Sequence, residues 1–591
     1  MAVVYSLPLS LACDGRPGKP PRLSISLDRN PWLPDEKTSI MIRRNAILFV
    51  YLAALLSPLF LELQYQSKPQ VEAEILLLFA LSFFAIASPA IIFQFRVRRY
   101  LLVISLPILL LTAMELAHLL EYQSGITRGG LIAVGNTGLG EAKEFVVDLH
   151  GTTIAAVMTL FLFCVALLVF GFKADDRIGA HPYVRVAAAV FLLAFSFEFL
   201  RKGDTVRHSY PFRIAYTAMD VIKGYLQFQE ILVKRAQYSF DATPRADMND
   251  RELIIVVIGE SLRRDHLTQY EYFRNTTPIL SKSDAIWFTD TISPATTTQI
   301  SLPAMLTPAI VGNYEDYFNK KSIISVAMEI GFHTSWFSNQ RQFDRWGTRV
   351  SVIGKEADDV QFISSASSGR SLDERLLPLT RSAVASGRSR QMVFLHTYGN
   401  HRIYQRRYPG EFRFYDDVDE IRNYFPHMTD EELQEVNHYD NSIRYVDYFL
   451  GEVIDIARSF AGPACVIFFS DHGEGLYDDE SKLRGRGFIK PLSASIEIPL
   501  FVWATESFKS SRPDRWVSIA SNRQKPVLMD SFFHAFSGLI GAQFNDYRPE
   551  DDFFSGSYVE PWVRHYDNGW DAIQLSKYSD VIAVPTPWVA R

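Results

Sequence analysis

The sequence predicts an α-helical membrane domain of five spans followed by a soluble α/β domain. Three observations carry that reading: an apolar excess confined to one stretch, five long runs within it that hold almost no internal charge, and three short β-branched or aromatic runs in the second half that end in polar residues. Of 591 residues, 48 % are hydrophobic, 13 % aromatic and 21 % charged. That composition excludes intrinsic disorder, because so much apolar surface readily builds a core. A net charge of −6 leaves no electrostatic footprint for nucleic acid, so none is expected as a partner. Three cysteines exclude a disulfide scaffold and a zinc ribbon.

In chain order, residues 1–40 contain Pro8, Pro17, Pro20, Pro21, Pro31 and Pro34, lack a basic start and do not form a signal peptide. Met41-Ile42-Arg43-Arg44 looks like the natural start of a membrane-inserted chain, so residues 1–40 read as a misassigned start or a disordered cytoplasmic tail. Within residues 41–202, the runs 45–63, 73–95, 100–119, 153–172 and 183–200 have the length of membrane spans, roughly 18–25 residues each. Arg43 and Arg44 precede the first span, Arg96, Arg98 and Arg99 follow the second, and Lys173, Arg177 and Arg185 follow the fourth. The opposite loops hold Lys68, Arg128 and Lys143. The cationic side is cytoplasmic, and an odd number of spans then places the rest of the chain outside. Glu62, Glu115 and Glu198 near the external span ends read as interfacial groups reached by water.

Residues 203–250 read as an interfacial linker, and residues 251–591 as the soluble domain. Runs 253–258, 392–395 and 464–469 suit buried strands. In open α/β sheets, ligands gather beyond the carboxyl ends of strands. Glu260 follows the first run, His396 and His401 the second, Asp471 and His472 the third. Taken singly, each is as well explained by a cap or a surface pair; delivered together to one sheet edge, these oxygen and nitrogen donors suit Zn²⁺ or Mn²⁺. Thr296-Thr297-Thr298 opens an apolar, helical segment, where a hydroxyl sits among free backbone N–H groups suited to phosphate. A coordinated metal would make such a hydroxyl a competent nucleophile.

The segments 255–265 (IVVIGESLRRD), 293–305 (SPATTTQISLPAM), 336–340 (WFSNQ), the pair His396 and His401, 439–450 (YDNSIRYVDYFL) and 469–474 (FSDHGE) occur in an order that resembles the bacterial membrane phosphoethanolamine transferases that modify lipopolysaccharide, in the alkaline phosphatase/sulfatase superfamily. The resemblance covers roughly residues 41–550. It implies an α/β/α sandwich catalytic domain in the periplasm, anchored in the bacterial inner membrane. It implies Glu260, Asp471 and His472 as zinc ligands, joined by Thr298, the nucleophile. Thr298 would take phosphoethanolamine from phosphatidylethanolamine and pass it to lipid A, a core sugar or another envelope glycan. His401 would bind the phosphoryl group, a second metal or the leaving oxygen, and Asn339 would contact phosphate oxygens. His396 would support the site, and Glu141 would meet the lipid head group.

Three features depart from the family pattern. The stretch 482–487 (KLRGRG) lacks the histidine of a His-Gly step that can serve a second metal; an arginine there, Arg484, would clamp phosphate. Pro294 and Ala304 stand where many members carry a disulfide, and Arg341 or Arg345 would replace a phosphate-binding lysine. The same fold with other chemistry, a phosphodiesterase or a phosphoglycerol-type head-group transferase, is the alternative reading.

Overall fold

In the computed structural model of the chain, the described residues are 36–65, 69–122, 125–126, 146, 149–172, 180–201, 210, 212, 214–216, 219, 222, 233–246, 248–340, 349–363, 372–478, 482–487, 491–567 and 572–575. Each of the five apolar runs is helical. The first is divided into α1 (Glu36–Leu55) and α2 (Ser57–Tyr65). Pro58 explains the break, since it lacks an N–H and its ring disfavours helix in the residues before it. Helix α1 begins five residues ahead of Met41. Then come α3 (Pro69–Phe93), α4 (Val97–Tyr122), α5 (Gly151–Ala166, continued by a π turn over Leu167–Gly171) and α6 (Pro182–Leu200).

Among the described residues, the helix Gly151–Gly171 is by itself long and apolar enough to cross a membrane, with 21 residues and mean hydropathy 2.7. Val97–Ser105 and Pro107–Tyr122 pass together across a bend, and Leu77–Phe93 and Pro182–Phe197 are apolar but shorter. Tyr51, Leu52, Leu55, Leu101, Cys164 and Phe172 pack into one interior, while Leu162, Phe163, Phe170, Val186 and Leu193 face outward. So much outward apolar surface is the pattern of helices solvated by lipid. Glu115 departs from the interfacial expectation. It is fully buried and accepts the Ile126 N–H at 3.1 Å, so protein groups rather than interfacial water accommodate it.

The second half is built on a seven-stranded sheet of β1 (Glu252–Gly259), β2 (Ile286–Phe288), β3 (His333–Ser338), β4 (Asp359–Phe362), β5 (Arg390–His396), β6 (Ala464–Ser470) and β7 (Leu500–Ala504). Their order across the sheet is β2–β7–β6–β1–β5–β3–β4. Strand β1 runs parallel to β5 and β6, whereas β7 is antiparallel to β6 and β2. Alternation divides β1 between two cores: Leu253, Ile255 and Val257 enter one, Ile254, Val256 and Ile258 the other. Burial on both faces is the pattern of a sheet sandwiched between helical layers.

Helix α9 (Asp430–Arg458) covers the first face, while α8 (Ile323–Glu329) and α10 (Phe532–Leu539) cover the second. The short α7 (Thr298–Leu306) also packs on the second face. Helix α9 starts with a reciprocal cap between Thr429 and Glu432. Cys164 and Cys465 are buried and unbridged; Cys13 lies outside the described residues.

Candidate active site

The strand register brings the chemistry to one edge. Gly259 of β1 pairs with Ser470 of β6, and Ile258 with His396 of β5. The residues that follow, Glu260 and Asp471, therefore leave neighbouring strands side by side. Gly399, at φ +46°, is pressed against Glu260: a Cβ there would lie 2.9 Å from both its backbone nitrogen and its backbone oxygen, so only glycine fits without a shift.

Thr298 begins α7, and its Oγ1 lies 2.9 Å from Glu260 Oε2 and 2.6 Å from Asp471 Oδ2. A hydroxyl with one proton thus faces two buried carboxylates. His472 donates from Nδ1 to the Gly473 carbonyl at 2.8 Å, which fixes the tautomer and leaves Nε2 as an acceptor. That Nε2 is buried without a hydrogen-bond partner, 3.4 Å from both Glu260 Oε1 and Asp471 Oδ2. Glu260, Asp471 and His472 offer ligand atoms that all lie within 4.8 Å of one another. An orphaned imidazole nitrogen, two carboxylates and a hydroxyl fit a divalent cation of zinc type.

Electrostatics point the same way. Burial works against ionisation of Glu260, yet Arg486 and His472 hold its carboxyl well below the usual range. Burial and the charge of Glu260 push Asp471 up to about 7. Burial opposes protonation of His472, but the adjoining Asp471 raises its imidazole. Two carboxylates in a dry site repel each other unless a cation or a shared proton lies between them.

Around this cluster, Arg486 donates from Nη1 to Glu260 Oε1 at 2.9 Å and also bonds Ser261 Oγ, with Glu474 Oε2 at 3.4 Å. Gln340 Nε2 donates to Glu260 Oε2 at 2.9 Å and to the Thr397 carbonyl at 3.0 Å. His401 donates from Nδ1 to the Arg402 carbonyl at 2.7 Å; burial and Arg486 push its imidazole down to about 3, so it stays uncharged. His396 is buried at the end of β5 beside Ser338 Oγ, 3.1 Å away, and burial pushes it down to about 4.

Two expected contacts fall on neighbouring residues. Asn339 is fully buried, and its Nδ2 donates to Asp373 Oδ1 at 2.7 Å; the next residue, Gln340, reaches the cluster. Arg484 bonds Tyr477 and Glu121, and Gly485, at φ +84°, turns the chain so that Arg486 enters the site. Adjacent positions on a strand end point opposite ways; the sequence marks the two segments but not which member of each pair turns inward. Glu141, Arg341 and Arg345 lie outside the described residues.

Residues 252–542 match the family model described as Sulfatase. The phosphoethanolamine transferase EptC of Escherichia coli strain K12 is 25 % identical over 361 residues, 58 % of this chain and 62 % of that protein. The chain thus spans about three fifths of the length of that relative. The phosphoethanolamine transferase CptA of Salmonella typhimurium strain LT2 is 23 % identical over 503 residues, 80 % of this chain and 86 % of its own length. Among solved structures, the integral membrane protein lipooligosaccharide phosphoethanolamine transferase A (EptA) from Neisseria meningitidis shares the fold at a TM-score of 0.65 and 18 % identity, covering 87 % of this chain and 98 % of that one. The C-terminal periplasmic domain of E. coli EptC, solved in complex with Zn, matches at a TM-score of 0.53 and 24 % identity over 57 % of this chain and 97 % of that one. With a sheet that carries a threonine between two carboxylates, residues 252–542 form a domain of the Sulfatase type, and the chain is similar to bacterial phosphoethanolamine transferases.

Proposed function

We propose that this protein transfers phosphoethanolamine from phosphatidylethanolamine to lipid A, a lipopolysaccharide core sugar or another envelope glycan, by way of phosphoethanolaminyl-Thr298. The observation that carries the reading is the Thr298 hydroxyl, held at a helix start between Glu260 and Asp471 with His472 Nε2 open beside them. Glu260, Asp471, His472 and Thr298 would hold one zinc ion, which when bound supplies positive charge that lowers the pKa of the hydroxyl and offsets charge on the phosphoryl group.

In the first half-reaction the Thr298 Oγ1–P bond forms as the P–O bond to diacylglycerol breaks, and the leaving oxygen takes up a proton. In the second, an acceptor oxygen attacks phosphorus, and Thr298 is released. Free N–H groups at the start of α7 face the phosphoryl oxygens. Arg486 takes over the phosphate clamp assigned to Arg484: a single nitrogen, Nη1, holds Glu260, and the side chain is 25 % exposed. Gln340, which donates to the same Glu260 oxygen as Thr298, takes the place of Asn339 as the amide at the cluster. Uncharged His401, with its Nδ1 proton committed, offers Nε2 to accept a hydrogen bond from the leaving or incoming oxygen. His396 supports the strand end, and Glu141 meets the donor head group.

Residues 41–202 form the membrane domain of five spans, with residues 203–250 at the interface and residues 251–591 in the periplasm of a Gram-negative cell. Lipid-facing side chains on α5 and α6 support that placement. Intact-protein mass spectrometry after incubation with phosphatidylethanolamine tests the reading: an adduct of one phosphoethanolamine maps to Thr298, and diacylglycerol appears. Thr298→Ala abolishes the adduct and lowers transfer by roughly 10⁴-fold, the scale of losing a nucleophile while binding groups remain. Thr298→Ser keeps part of the rate. Transfer without an adduct on Thr298 would mean direct displacement between the two lipids.

A further inference from the structure

Arg486 reaches the catalytic cluster from a short hairpin whose other side is bound to the end of membrane helix α4. We propose that Glu121, in the last turn of that helix, is a positioning residue for Arg486, so that the membrane domain completes the active site. The inference rests on the phosphoryl-transfer reading only for the task of Arg486, not for the link itself.

The link is continuous. The hairpin pairs Arg484 with Leu476 and Gly485 with Gly475, directly after Glu474. Arg484 Nη2 bonds Glu121 Oε2, and its Nη1 donates to Tyr477 OH at 2.9 Å. Glu121 is fully committed: its side chain has no exposure, and it also accepts the His150 backbone N–H at 2.9 Å and His150 Nδ1 at 3.0 Å. Beside it, Tyr122 packs with Leu483 and Leu492. The Tyr122 ring lies so close to Gly485 that a Cβ there would sit 3.1 Å from Tyr122 Cε1.

On the far side, Gly487 donates its N–H to Thr296 Oγ1 at 3.0 Å, two residues before the nucleophile. Arg486 is therefore suspended between a membrane-helix end and the threonine loop. A buried ion pair of this kind fixes geometry more than it adds stability, and losing one partner strands the other charge. Without Glu121, Arg484 loses that carboxylate, and the segment that carries Arg486 loses its ion pair to the end of α4.

The test uses the full chain in detergent with zinc bound, Glu121→Gln as the isosteric change, and Tyr122→Leu as a second variant that loosens the dock without touching charge. Labelling of Arg486 by phenylglyoxal, read by peptide mass spectrometry, needs no activity and rises about 3-fold or more in both variants. Cleavage of bis(p-nitrophenyl) phosphate supplies a cycle: kcat falls about 10-fold for Glu121→Gln, yet less than about 2-fold when the same change is made in Arg486→Ala, because the two residues act as one unit. Zinc content stays at the parent value. Unchanged labelling of Arg486, or equal factors in both backgrounds, overturns the proposal. If the parent protein cleaves this soluble diester through Thr298 but takes nothing from phosphatidylethanolamine, the transfer reading fails while the labelling and the cycle still decide the link.

Discussion

Thr298 Oγ1 has one proton and two carboxylate neighbours, at 2.9 and 2.6 Å, and that imbalance is the strongest chemical statement in the molecule. Glu260→Gln and Asp471→Asn keep volume but remove an anion each. Both should fold and lose zinc affinity by about 100-fold or more, beyond what outer groups around a metal are worth. Metal analysis of the purified variants checks this, and parent-like zinc content in both would remove these residues from the site. The types of these groups were legible in the sequence, because each follows an apolar run that had to be a buried strand. The individual choices within Asn339-Gln340 and Arg484–Arg486 were not. They depend on a strand end and on the left-handed turn at Gly485, which only the folded chain defines.

At the scale of elements, β1, β5 and β6 were readable because both their faces are buried and the sequence shows it as unbroken apolar runs. The reversal at β7 was not, since antiparallel pairing one strand in from the edge leaves no local mark. The division of the first span into α1 and α2 was present in the sequence as Pro58, but the hydropathy of the run overrode it. Helix α9 adds a measurable device. Asp447 accepts the N–H groups of Ile279 and Leu280 at 2.9 Å each, and burial pushes its carboxyl up to about 6. The unfolded chain ionises near pH 4, so between about pH 4 and pH 6 the folded state binds the extra proton. Stability from this group is then full below pH 4 and lost as pH rises through 6. Asp447→Asn cannot ionise, so the melting temperature of the parent relative to this variant should fall from pH 4 to pH 6; a constant difference would mean that Asp447 titrates alike in the folded and unfolded chain.

For the whole molecule, the proposed function requires the sheet domain to lie on the outer side of the membrane. A periplasm-dependent reporter fused after Asp250 should be active and one fused after Phe172 inactive; the reverse pattern would refute the orientation taken from the arginine-rich loops. The single cysteine after residue 250, Cys465, is buried inside β6 and unbridged. Each stabilising contact in this domain is therefore non-covalent. Its survival does not depend on the thiol-oxidising machinery of the cell envelope, and a strong thiol reductant should leave its melting temperature unchanged. A domain so built is indifferent to the redox state around it: it keeps its shape through reductive stress that opens disulfide-bonded proteins.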